Sequence, residues 1–139
     1  MMARLAWIAL GLLAMGSPSL ADGTTQFDLT CHGILQDIFE KTSRDYTFTV
    51  RVDLDQMEYC IDECSAIDRI YSVEPSELIF QPEGADPGNE FLVFRTDGKF
   101  YLKSMRNEST DPEMPKMKAL SIDGTCVKAP FTPLPKLAF

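Results

Sequence analysis

The stretch that decides the fold is DYTFTVRVDLD, residues 45–55. Tyr46, Phe48, Val50, Val52 and Leu54 alternate with Thr47, Thr49, Arg51 and Asp53. Period two held over nine residues, in β-branched and aromatic side chains, predicts a strand with one buried face and one wet face. At ~3.3 Å per residue it would reach about 30 Å.

The same pattern recurs on both sides. QFDLTC (26–31) places Phe27, Leu29 and Cys31 on one face. AIDRIYSV (66–73) and ELIFQ (77–81) read as two more strands, separated at Glu74-Pro75-Ser76 because proline cannot donate to a central ladder. EFLVFRTDGKFYLKSM (90–105) is the strongest hairpin signal. Its Asp97-Gly98 pair predicts a two-residue type I′ turn, with Phe94 facing Tyr101 and Val93 facing Leu102. KMKALSIDGTCV (116–127) supplies a last strand, bent at Asp123-Gly124, and the proline-rich end, 128–139, is expected to lie extended over the domain or along an edge. One segment departs from the pattern. GILQDIFEKTS (33–43) sets Ile34, Leu35, Ile38 and Phe39 at helical spacing, which admits one short helix. The expectation is an all-β domain: a small antiparallel barrel or rolled sheet of six to eight strands, or alternatively a two-sheet sandwich. The polar connections 82–89 and 106–116 are where such a scaffold would carry function.

The first residues set the compartment. Arg4 precedes an apolar run from Leu5 to Met15, and Ser19-Leu20-Ala21 has the small-residue form of a cleavage site. This is the plan of a secretory signal peptide, residues 1–21, with an apolar core short of the ~20 residues a membrane span needs. Removing 21 of the 139 residues leaves 118, one domain from 22 to 139. Without Arg4 there are 12 basic against 21 acidic side chains, a net charge of −9. That balance argues against nucleic acid and against anionic membrane surfaces, and permits a cationic protein partner. A periplasmic or secreted location follows, with no membrane span once the leader is cut.

In that setting the four cysteines read as two disulfides. Three pairings are open. The favoured one joins Cys60 to Cys64 across the turn Ile61-Asp62-Glu63, and Cys31 to Cys126 so that the first strand is tied to the last. Zinc would need a second close cysteine pair, which Cys31 and Cys126 do not form, and His32 is the lone histidine.

No catalytic constellation emerges. G-x-S-x-G, the P-loop, H-E-x-x-H and EF-hand patterns are absent, His32 has no paired nucleophile, and Asp62-Glu63 reads as a solvated turn. No enzyme activity, cofactor or metal is expected. Arg95 shares a strand face with Phe91 and Val93 and sits opposite Phe100. If that face is interior, it needs a buried acidic partner or a stacked ring; otherwise it is an exposed arginine near a hairpin tip.

The strings Phe27-Asp28-Leu29-x-Cys31-x-Gly33, Arg51-Val52-Asp53-Leu54, Tyr59-Cys60-x-x-x-Cys64, Arg95-Thr96-Asp97-Gly98, Gly124-Thr125-Cys126 and Pro130-Phe131-Thr132 carry a resemblance. Together they resemble a group of small secreted proteobacterial proteins of unknown function, which implies export but no activity. A looser likeness, resting on Cys31 and Cys126, is to the periplasmic inhibitors of C-type lysozyme. Those are small β-barrels in which an early and a late cysteine are joined. Their S-G-x-x-Y loop motif is missing here, so no inhibitory residue is carried over. Three readings of function result: an exported non-enzymatic binding or structural module, an inhibitor of a cationic cell-wall hydrolase, and a carrier of a small apolar ligand held among Tyr46, Phe48, Phe91 and Phe100.

Overall fold

The computed structural model describes residues 23–82, 88–110, 113–114 and 116–136. The predicted leader and the middle of the 82–89 connection lie outside the described residues. The described chain is all-β. Its strands are β1 (Gln26–Asp37), β2 (Thr42–Asp53), β3 (Glu58–Ile61), β4 (Asp68–Arg69), β5 (Ser72–Val73), β6 (Glu77–Gln81), β7 (Glu90–Phe94), β8 (Lys99–Asn107) and β9 (Met117–Ala129). They form one antiparallel sheet in the order β4-β3-β2-β1-β9-β8-β7-β6-β5. A single rolled sheet, rather than a two-sheet sandwich, is the result.

The roll follows from connectivity. In a flat sheet, eight spacings of ~4.8 Å would set the edges about 38 Å apart. Yet the edge strands β4 and β5 are joined only by Ile70 and Tyr71, and three residue steps reach roughly 10 Å. The edges must therefore curl toward each other. Ile70 spans the seam: its N–H donates to the Met57 carbonyl at 2.9 Å beside β3, and the next N–H, of Tyr71, donates to Ile79 of β6 at 3.0 Å.

The alternation read in β2 puts Phe48, Val50 and Val52 into the core. The segment expected to be helical instead continues β1. Inward positions run Phe27, Leu29, Cys31, Gly33, Leu35, and of the four apolar residues at helical spacing only Leu35 is buried; Ile34, Ile38 and Phe39 are exposed. Twelve ladder positions between β1 and β2 outweigh one turn of helical periodicity. The expected single strand over 66–73 is also corrected. It divides into β4 and β5, one at each edge of the sheet, which helps raise the strand number to nine.

Cys31 and Cys126 stand opposite each other on β1 and β9, with Cα atoms 3.9 Å apart, and are joined. Cys60 and Cys64 form the second disulfide. Two positions along from the long-range bridge, Gly33 faces Gly124. A Cβ on either glycine would collide with the main chain of the opposite strand, so only glycine lets β1 and β9 approach this closely. After β9 the chain leaves the sheet and crosses β1. Thr132 donates its N–H and its hydroxyl to the Asp28 carboxylate, at 3.1 and 2.7 Å, and this cover leaves Asp28 buried on the outer face.

Candidate functional site

Of the four aromatic residues expected to line a ligand pocket, Tyr46, Phe48 and Phe100 fill the curl, and Phe91 packs with them while bordering a smaller cavity. Phe48 meets Phe100 edge-on at 5.3 Å and Phe91 at 6.1 Å, and all three are buried; Tyr46 packs on Phe48 at 5.9 Å. The cluster continues through Phe91 stacked on Phe80 at 4.6 Å, and Phe80 against Tyr59 at 4.7 Å. This end of the aromatic row reaches the seam.

There the two edges do not close completely. A cavity of about 500 Å³ opens between them, walled by Met57, Ile70, Tyr71 and Phe80 together with the polar Arg69, Gln81 and Asn89. A second cavity, about 260 Å³, shares Gln81 and Asn89 and is bordered by Tyr59, Phe91, Asp68 and Lys103. Each wall has a local cause. Met57 closes the β2–β3 loop in a left-handed conformation (φ 55°) that turns it onto the core. Ile70 and Tyr71 are the residues that cross from one edge to the other. Tyr71 remains 65 % exposed.

The shared wall is polar. Tyr59 is buried, and Asp68 is its direct partner across the β3–β4 ladder, so the two side chains lie on one face. Burial pushes the Tyr59 phenol up to about 12; the negative charge of Asp68 adds to this, and a hydrogen bond with Gln81 pulls the other way. The larger recess is mostly apolar with Arg69 on its lining, and the smaller is bordered by both Asp68 and Lys103.

The residues singled out by sequence fall elsewhere. The four cysteines are structural: their bridges staple β1 to β9 and hold the turn after β3. In that turn Asp62 is a hydrogen-bonding residue, its carboxylate accepting from the Thr49 N–H at 2.9 Å while its own N–H donates to the Thr49 carbonyl at 2.8 Å. Arg95 is half-buried at the β7–β8 turn, and its guanidinium donates to the Glu74 carbonyl at 3.0 Å, so it braces a main-chain turn. His32 sits on the outer face with Nδ1 2.9 Å from the Thr47 hydroxyl and Nε2 4.0 Å from Asp45. No group of three metal-ligating side chains occurs among the described residues.

Several residues of the strings that carried the family resemblance meet in space, and apart from Tyr59, which borders the smaller cavity, what they build is scaffold. Asp28 binds Thr132, Cys31 binds Cys126, Gly33 abuts Gly124, and the Gly98 carbonyl accepts from the Cys126 N–H at 2.7 Å. The seam residues carry no motif. Their one sequence signal is the loss of clean alternation at Ile70-Tyr71, between two short runs that pair with different partners. Comparison with protein-family models, with curated proteins and with solved structures finds no match.

Proposed function

We propose that the protein is an exported, non-enzymatic binding module that takes a small, largely apolar ligand in the seam cavity. The observation that supports this is the cavity: its 500 Å³ lies within the roughly 300–1,000 Å³ of small-molecule sites, with apolar walls and a few convergent polar groups. The two disulfides agree with an oxidising destination such as the periplasm, and no helix among the described residues is long and apolar enough to cross a membrane. The environment-sensitive dye N-phenyl-1-naphthylamine tests the reading. Saturable one-to-one binding is expected, weakened about fivefold by Tyr71→Ala, which removes an exposed wall at little cost in stability. Non-saturable binding, or binding indifferent to this substitution, overturns it.

A second reading keeps its own support. From Asp53 to Asp68 the chain has six acidic residues and no basic one, and this run forms the β3 side of the sheet. Such a surface would steer a cationic protein toward it. The hydrolase-inhibitor option is tested by lysozyme turbidity assays; unchanged lysis at large molar excess ends it.

A further inference from the structure

The outer face of the sheet is not uniform, and an apolar part of it lies on three neighbouring strands. Leu78, Phe80, Phe91, Val93 and Phe100 of β6–β8 are buried, so alternation turns the residues between them outward. Ile79, Leu92 and Tyr101 stand side by side on one ladder row, each half-buried. Phe94, the next outward position on β7, is 41 % exposed. Carried into β9, β1 and β2, the row of Leu92 meets Asp123, Ile34 and Asp45. The row beyond it runs from Lys99 through Thr125 and His32 to Thr47. That half of the outer face is mostly polar, as the wet side of an antiparallel sheet ordinarily is, whereas the β6–β8 half is built like a face that is covered.

The charges around this patch fit one kind of cover. On β6, Glu77 stands opposite Phe94; on β8, the positions flanking Tyr101 on its own face are Lys99 and Lys103. Acid borders one side of the apolar row and base the other. Glu77 makes no ion pair among the described residues, Lys99 has only a surface contact with Asp97 at 3.7 Å, and Lys103 faces Glu90 across the β7–β8 ladder. We propose that this face docks on the same face of a second copy of the chain, the two sheets packing with strands aligned about a two-fold axis that runs along β7. Such an axis sets Leu92 against its counterpart, Ile79 against the partner's Tyr101, and Glu77 against the partner's Lys99. A two-fold axis running across the strands is disfavoured, because it would set Lys99 over the partner's Lys103. The acidity of each copy does not oppose the contact at ~0.15 M salt, where charges further apart than about 8 Å are screened from one another.

Sedimentation equilibrium of the disulfide-intact protein, from about 10 μM to about 1 mM, tests this. A monomer–dimer equilibrium is expected for the parent protein, and Leu92→Lys should abolish it. Glu77→Lys and Lys99→Glu should each raise the dimer dissociation constant about tenfold, because the symmetry makes each change count twice. Combined in one chain, the two charge swaps should bring the constant back to within about twofold of the parent value, as only groups in contact compensate. None of the three side chains is fully buried, so the variants should keep their fold, which thermal unfolding checks. A parent protein that stays monomeric throughout overturns the proposal, and so does a dimer that Leu92→Lys leaves intact. Single swaps without effect, or a double swap no better than either single one, overturn the axis along β7.

Discussion

Asp28, Gly33, Gly124 and Tyr59 show how much single residues decide here. Asp28 has the sequence context of an exposed strand position, with Thr30 and His32 next on its face. It is buried only because the tail brings Thr132 over it, a pairing 104 residues apart that no local pattern announces. Gly33 and Gly124 likewise matter through each other, since each is the space the opposite main chain occupies. Tyr59 makes a residue-scale prediction in alkali. In the unfolded chain a tyrosine ionises near pH 10; in the fold Tyr59 does so only near 12. Its contribution is therefore complete below pH 10 and is lost as pH rises toward 12, on the order of 2 kcal/mol. Urea midpoints at about pH 9 and pH 11.5 check this. The parent protein should lose more stability over that range than Tyr59→Phe, and equal losses would count against the buried phenol.

The hairpin loops form the next scale. The β7–β8 register pairs Val93 with Phe100, not with Leu102, so the loop is four residues, Arg95 to Gly98, instead of the expected two. Gly98 does take positive φ (71°), as the sequence suggested, but Asp97 does not, and the Gly98 N–H donates to the Phe94 carbonyl. Two other hairpins are built the same way. The β1–β2 loop ends at Lys41 (φ 53°) and the β2–β3 loop at Met57 (φ 55°). In each, the aspartate before the loop, Asp37 or Asp53, accepts main-chain N–H groups inside it. The repeated four-residue loop was illegible in sequence because only one of the three places glycine at the left-handed position. Lys41 is exposed, so the strain there can be released without loss of packing. Lys41→Gly should stabilise the protein by about 1 kcal/mol, read as a higher urea midpoint. An unchanged or lower midpoint would show that the loop is not strained as described.

At the scale of the whole molecule the two disulfides divide the work unequally. Cys31–Cys126 closes a loop 95 residues in sequence, Cys60–Cys64 one of four. In the chain-entropy account the first is worth about 4–5 kcal/mol and the second about 2. Replacing Cys31 and Cys126 together by serine should thus lower the denaturation midpoint far more than replacing Cys60 and Cys64, and the reverse order would refute the assignment of the main staple. The long-range staple was the favoured of three pairings and the rolled sheet the first of two architectures, and both readings rested on one kind of signal. Period-two burial, turn residues and cysteine count are local or compositional signals, and each acts on the chain wherever it lies. The 33–43 segment was misread because its few apolar residues fit two periods, and only pairing with β2 and β9 chose between them. Little of the candidate site was legible in sequence beyond Phe91 and the 82–89 connection, which supplies Pro82 and Asn89. Its walls come from residues 57, 69–71, 80–82 and 89, which share no motif and meet because the sheet rolls until its edges nearly touch. By itself the sequence determined which side chains of the clearly alternating strands face inward and that four cysteines in an exported chain would pair. Only the tertiary structure decided where the roll stays open, because an opening is what remains between two edges after every strand has found its neighbour.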